Sequence, residues 1–396
     1  MGAIRFSSSG WRARSGKGYD ESSVVRIAHA LGATWATRYQ GSTVIVGYDV
    51  RRDAKRFATL AGRVIAAHGL KVVVSDRVCP TPALEWAVAH DPSCIGGVML
   101  TATKMPHEYG GILVRQHDGG PMNSSVAAAV SQRIESSPTT LRADVDYADI
   151  TTAYFDALVS EADTQLIASA GLRVVVDPLY GATSGYASEL FARLGCDVVP
   201  LHDSFVPDYR RLHPDAREPW VDECERTVVQ SKADMGIVFD GDGSRFAVID
   251  ATGRLVSPHD LAPLVLEHLV GQRGRHGRVV GTVATSVRIE RQARRLGCDY
   301  TMVPVGIESI YREFFERDVI LATDESGSLV VPSHIPERDA LFGAVMMLEL
   351  IAGSGDDIQT MVAHLEETLG SMEYVARDLR LDSGATQRLR NLLPGL

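Results

Sequence analysis

Thr103 stands where an apolar run, Val98-Met-Leu100, gives way to the small and hydroxyl residues Thr101, Ala102 and Thr103. Pro106, Tyr109 and the pair Gly110-Gly111 then predict an exposed loop. A hydroxyl at the end of a buried strand reaches a ligand without moving the core, which suits a nucleophile. The plainer reading is a threonine that satisfies nearby backbone. A second apolar run, Met235-Gly-Ile-Val-Phe239, breaks into Asp240-Gly-Asp-Gly-Ser-Arg245. Carboxylates two apart on a tight turn are hard oxygen ligands suited to Mg²⁺, with Arg245 just behind them. A surface Asx turn would look alike, but acidic groups at the tip of a buried strand are costly unless a cation or phosphate is shared among them. A third apolar strand runs into Thr323-Asp-Glu-Ser-Gly-Ser328, whose groups suit sugar hydroxyls. Near the start, small polar residues alternate with Arg12, Arg14 and Lys17, which makes either an anion cradle or a solvated terminus.

The elements that must position these loops follow from apolar spacing. Helices are expected over Ser22–Ala36, Phe57–His68 and Ala83–Ala89, with strands at Val44–Asp49 and Lys71–Ser75. A boundary with one helix, Val126–Ile134, is expected between Gln116 and Thr151, marked by Gly119-Gly-Pro121 and Ser136-Ser-Pro138. Beyond it come a helix over Tyr154–Ser169, a strand Leu172–Asp177, a helix from the turn at Gly181 through Leu194 and a strand Cys196–Pro200. A polar loop, 202–219, leads to a helix over Val221–Ser231, and Ala247–Asp250 with Arg254–Val256 suggests a hairpin. The same rhythm repeats from Asp260, with a helix at Ile307–Phe315 and an apolar core helix at Ala340–Ile351. Such alternation predicts an α/β protein whose sheets are mostly parallel and covered by helices on both faces. Ligands gather beyond the carboxyl ends of such strands, where the Thr103, Asp240 and Asp324 turns all fall. If the three turns converge, they line one cleft.

With 396 residues, 45% of them hydrophobic, the chain has material for three cores. A net charge of -10 argues against a broad nucleic-acid surface. The five cysteines form no CxxC pair, which fits reduced thiols in a cytoplasm. No stretch reads as a signal peptide or a membrane span, so a cytoplasmic location without a membrane partner is expected.

Seven stretches, taken together, resemble the α-D-phosphohexomutases, the phosphoglucomutase and phosphomannomutase family. They are Arg5–Ala13, Val46–Arg51, Pro80–Pro82, Thr101–Gly111, Ala233–Arg245, Asp324–Gly327 and His334–Asp339, and they occur in the family's order. The resemblance implies three consecutive α/β domains with mixed sheets flanked by helices, at 1–140, 150–257 and 258–370, and a charged tail over 371–396. The family's fourth domain, with its phosphate-binding loop, has no counterpart in the sequence. The resemblance further implies Thr103 at the phosphoserine position and Asp240, Asp242 and Ser244 at the three metal positions, with Mg²⁺ as cofactor and the Thr103 phosphoryl group beside it. Arg12 and Arg245 would steady phosphate, with Arg14 beside the substrate, and Asp324 and Ser326 would hold sugar hydroxyls. Lys104 would lower the pKa of Thr103 or pair with its phosphate.

Some positions depart from the family pattern. Threonine replaces serine at 103, Lys104-Met105 replaces His-Asn, and Ser244 replaces the third aspartate. The family's two lysines fall at Leu113 and Glu308, its glutamate is shortened to Asp324, and Ser328 stands where many members carry histidine. Two readings follow. One is a Mg²⁺-dependent phosphosugar enzyme that transfers a phosphoryl group through Thr103, with a degenerate site. The other is a repurposed or non-catalytic homologue that binds a sugar phosphate, or that works as a homo-oligomer or with a partner subunit supplying what is missing.

Overall fold

The computed structural model describes residues 4–134, 142–316, 318–372 and 381–392. In the first unit, β1 (Trp11–Ser15), β2 (Gly18–Tyr19), β3 (Thr43–Tyr48), β4 (Lys71–Ser75), β5 (Cys94–Leu100), β6 (Tyr109–Gln116) and β7 (Asp146–Ala148) share one sheet. Their order is β2-β1-β6-β5-β3-β4-β7, flanked by α1 (Glu21–Ala36), α2 (Ala54–Ala66), α3 (Thr81–His90) and α4 (Ser124–Ile134). The sheet is mixed, because β6 runs antiparallel to both β1 and β5. Gly110 and Gly111 therefore lie inside a strand, not in the loop expected of them. They are small because other groups press close: a Cβ at Gly110 would lie 2.1 Å from the Tyr19 ring, and one at Gly111 2.5 Å from the Trp11 carbonyl.

The second unit opens with α5 (Thr152–Glu161) and α6 (Thr164–Ala170) where one helix was expected. The break falls at Asp163, whose carboxylate accepts from Leu166 N at 3.0 Å and caps the second helix. Then come β8 (Arg173–Asp177), α7 (Tyr186–Arg193), β9 (Asp197–Pro200), α8 (Asp222–Ser231), β10 (Met235–Phe239) and β11 (Phe246–Asp250), in a sheet ordered β11-β10-β8-β9. Helix α7 starts only at Tyr186, later than expected, because Gly185 just before it has a φ of 72° that no right-handed helix can contain. The hairpin is β10–β11, closed across the Asp240 turn, and Leu255 meets Ile249 only through a single bridge.

The third unit holds α9 (Pro258–Gly271), β12 (Arg278–Thr282), α10 (Val287–Arg295), β13 (Asp299–Val303), α11 (Ile307–Arg312), β14 (Val319–Thr323), β15 (Leu329–Val330), α12 (Ala340–Ser354) and α13 (Ile358–Leu369). Its strands are ordered β13-β12-β14-β15. The helix expected to run to Phe315 ends at Arg312 and passes into a 3₁₀ turn, Glu313–Glu316. In the tail, α14 (Ser383–Leu392) is helical. The expected boundary mark Ser136–Pro138 lies outside the described residues.

Helix α12 is apolar on every side except at Glu349, which pairs with His268 and Arg273, and it is buried from Ala340 to Ile351. Each of its Leu, Val and Met side chains contributes about 1.5–3 kcal/mol by leaving water. One apolar cluster runs from Leu84 and Met99 through Tyr154 and Phe239 to Leu341 and Met346, so the three units share a core. No helix among the described residues is long and apolar enough to cross a membrane.

Candidate active site

Thr103 follows β5 with φ at +52° and is 7% exposed. A β-branched residue in the left-handed region is strained by about 1–2 kcal/mol. Such strain persists only where surrounding contacts over-determine it. Here Thr103 N donates to Thr101 Oγ1 at 2.9 Å, and Thr101 Oγ1 donates to Asp49 Oδ2 at 2.6 Å. The Thr103 carbonyl accepts from Arg51 Nη2 at 2.6 Å. Among the described residues the Thr103 hydroxyl has no hydrogen-bond partner, so it remains available.

The Asp240 turn meets this loop directly. A methyl group at Gly241 would lie 2.7 Å from the Thr103 carbonyl oxygen. Asp240 and Asp242 are fully buried. Ser244 Oγ stands between them, 3.2 Å from Asp240 Oδ2 and 2.8 Å from Asp242 Oδ1. Asp240 also accepts from the backbone of Ser244 and Arg245, and from Arg245 Nη1 at 3.4 Å. Asp242 Oδ2 accepts from Thr81 Oγ1 at 2.6 Å, at the N-terminus of α3, whose dipole favours that charge. Burial, and then the charge of Asp242, push the Asp240 pKa up. Two buried carboxylates and a hydroxyl, all oxygen donors, fit a hard divalent cation such as Mg²⁺.

Guanidinium groups gather on the same spot. Burial pushes the Arg12 pKa down to about 10; Asp242 opposes this, while the charges of Arg245, Arg115 and Arg51 add to it. The Nε atoms of Arg12 and Arg245 are buried without a hydrogen-bond partner. Several mutually repelling cations with idle donors could hold a multiply charged anion.

The other residues singled out in the sequence are placed differently. Lys104 turns to Asp215, with Nζ 3.5 Å from Oδ2. Arg14 is exposed and pairs with Glu108 at 3.4 Å. Asp324 is buried in its own turn: Oδ1 accepts from Ser326 N and Oγ, and Oδ2 accepts from Arg338 Nε and Nη2 at 3.0 and 2.7 Å. Ser326 Oγ also meets Ser328 Oγ at 2.8 Å. Burial would raise the Asp324 pKa, but the charge of Arg338 and then that of Arg245 hold it well below the usual carboxylate range. The third unit touches the Asp240 turn through Ala340 N, which donates to the Gly243 carbonyl at 3.2 Å. Leu113 is packed in the core, 4% exposed. Glu308 accepts from Ser124 Oγ at 2.7 Å, so it joins the third unit to the first.

Sequence reasoning quoted Val46–Arg51 and Pro80–Pro82 as matching stretches but gave Asp49, Arg51 and Thr81 no role, and it read His213–Asp215 only as part of a polar loop. His213 Nε2 donates to the Lys104 carbonyl at 2.8 Å, and the Pro214 carbonyl accepts from Gly241 N at 3.0 Å. A groove of about 1030 Å³ contains Asp49, Arg51 and Phe205 but none of Thr103, Asp240, Asp242 or Arg245. The buried charges of the candidate site therefore lie outside this groove.

Three family models match in succession: phosphoglucomutase/phosphomannomutase α/β/α domain I over residues 3–140, domain II over 152–253 and domain III over 257–368. The chain belongs to the phosphoglucomutase/phosphomannomutase family. This phosphohexomutase-family chain is 26% identical over 364 residues to a phosphoglucosamine mutase of Rippkaea orientalis, covering 89% of this chain and 73% of the relative. It is 28% identical over 344 residues to a phosphoglucosamine mutase of Synechococcus elongatus, covering 86% and 71%. A crystal structure of a provisionally named phosphomannomutase from Thermus thermophilus superposes with a TM-score of 0.89 at 28% identity, covering 93% of this chain and 84% of that one. Three α/β/α domains with mixed sheets, anticipated from the seven stretches, are thus the architecture of this family member.

Proposed function

We propose that this chain transfers a phosphoryl group between Thr103 and a hexose phosphate, as a sugar-phosphate mutase of its family. The observation that carries the reading is the contact between the Thr103 turn and the buried Asp240–Arg245 turn, where an available hydroxyl, an oxygen-only cation site and idle guanidinium donors lie together. In the forward step a sugar hydroxyl oxygen bonds to the phosphorus of phospho-Thr103, the bond from phosphorus to Oγ1 breaks, and Oγ1 leaves as the threonine hydroxyl, taking up one proton for the one the sugar hydroxyl gives up. The sugar bisphosphate then turns over, and its other phosphoryl group returns to Oγ1. Arg12 and Arg245 hold the charged oxygens, and Lys104, steered by Asp215, balances charge beside Thr103. Asp240 and Asp242, with Ser244, would hold Mg²⁺, which when bound neutralises charge on the transferring group. Asp324 and Ser326 would shape the sugar side through the turn they build together, and Arg14 would meet the substrate only by leaving Glu108. Five buried cysteines, all unbridged, suit a reducing cytoplasm.

The position of Leu113 favours a second reading. An apolar core side chain there, and Glu308 spent on Ser124, leave two proton-handling positions of the family without a titrating group in the site. A sugar-phosphate-binding homologue, or a subunit completed by a partner, would keep the anion receptor and lose turnover.

Incubation with a hexose 1,6-bisphosphate and Mg²⁺, followed by intact-mass measurement, separates the two. The mutase reading expects one added phosphoryl group, mapped to Thr103 and absent from Thr103→Ala. Protein that stays unmodified and interconverts no hexose phosphate, yet still binds one, would establish the second reading.

A further inference from the structure

We infer that Arg51 is the positioning residue of the Thr103 turn, and that Tyr209 of the second unit holds Arg51 in place. The inference deepens the phosphoryl-transfer reading and rests on it only for its kinetic consequence.

The guanidinium has five N–H donors, and each finds an acceptor. Nη2 donates to the carbonyls of Thr103 and Met105 at 2.6 and 2.7 Å. Nη1 donates to those of Pro106 and Tyr109, both at 2.9 Å. Nε donates to Asp49 Oδ2 at 3.0 Å. Four carbonyls of one loop thus converge on a single buried cation whose side chain is 3% exposed. Asp49 closes the circuit through Thr101, whose hydroxyl accepts from Thr103 N. A turn carrying a left-handed threonine is held at both its amide and its carbonyl by this set, and at its far end by the same guanidinium. A lysine, a point charge with three donors, has neither the number nor the planar spread to replace it.

The second unit covers the clamp. The Arg51 guanidinium lies 5.1 Å from the centre of the Tyr209 ring. Tyr209 is fully buried, and its hydroxyl has no hydrogen-bond partner among the described residues, so the ring and not the phenol makes the contact. Tyr209, Arg210 and Arg211 are all left-handed, with φ values of 50°, 48° and 65°. Three strained residues in succession are kept where they deliver Tyr209 to Arg51, while His213, a few residues on, donates to the Lys104 carbonyl. The order of the hydroxyl turn is therefore set by the docking of the segment 202–219 as well as by its own unit.

The test is hydrogen–deuterium exchange of the full chain, read on a peptide spanning 101–109, without any substrate. Arg51→Lys is expected to speed exchange in that peptide by about tenfold or more while the strands keep their protection. Tyr209→Leu gives a smaller increase in the same peptide, and Tyr209→Phe, which keeps the ring, leaves it as in the wild type. In steady-state assays on a hexose phosphate, Arg51→Lys lowers kcat with little change in KM. A folded Arg51→Lys whose 101–109 peptide exchanges like the wild type overturns the inference. Should Arg51→Lys fail to fold, unchanged exchange in Tyr209→Leu overturns it instead. A loosened turn in a protein whose wild type transfers no phosphoryl group would leave the positioning role standing and remove only the mutase reading.

Discussion

Arg338 donates twice to one carboxylate oxygen of Asp324, from Nε at 3.0 Å and from Nη2 at 2.7 Å, and so fixes the third polar turn from behind. Its Nη1 also meets Glu337, whose other oxygen lies 3.4 Å from Arg115, itself paired to Glu85 in the first unit. A chain of alternating charges, buried or nearly so, therefore runs from α3 to the Asp324 turn. Replacing Arg338 by Met leaves Asp324 buried without its main counter-ion. The expected cost is about 3 kcal/mol, read as a lower urea midpoint, together with a raised KM for the hexose phosphate. An unchanged midpoint would mean that the turn holds without this pair.

His334 lies between two acids, with Nε2 3.0 Å from Asp339 Oδ2 and Nδ1 3.1 Å from Glu161 Oε1. Burial alone would lower its pKa, but hydrogen bonds to Asp339 and Glu161 outweigh this and raise it to about 9. Because the folded value exceeds the ordinary one near 6.5, the stabilisation is complete below that pH and is lost as pH climbs through about 9. The stake is on the order of 2–3 kcal/mol, trimmed because Glu161 is partly exposed. Urea unfolding at pH 6 and pH 10 should therefore differ more for the wild type than for His334→Gln. Equal differences in the two proteins would exclude His334 as the titrating group.

Gly241→Ala tests how closely the two central turns pack. The added methyl would fall 2.7 Å from the Thr103 carbonyl and 3.1 Å from Pro214 Cβ, and that carbonyl is already held by Arg51. The expected result is a loss of about 1–3 kcal/mol and slower phosphorylation of Thr103. Gly271→Ala, at the end of α9 with nothing within 4 Å of the new methyl, should be neutral or slightly stabilising. Equal effects at both sites would show that the contact has slack.

Strand ends were the legible part of the site. Thr103, Asp240 and Asp324 each follow an apolar run, and burial of such runs in helix-covered sheets delivers each polar end to the carboxyl edge of its own sheet. Elements whose limits depend on distant neighbours were not legible. Gly110-Gly111 read as a loop because glycine marks turns, yet pairing with β1, about a hundred residues earlier, makes it a strand. One helix was expected to run from Tyr154 to Ser169, because apolar spacing does not register a cap formed by Asp163.

The sequence by itself determined the α/β architecture and the family, because periodicity and local motifs are properties of neighbouring residues. Tertiary structure alone decided what each polar group does. It spent Asp324 on Arg338, Glu308 on Ser124 and Lys104 on Asp215, and it aimed four loop carbonyls at Arg51. A buried charge is settled by whichever opposite charge or dipole the fold brings within hydrogen-bond reach, and most of those partners lie far off along the chain.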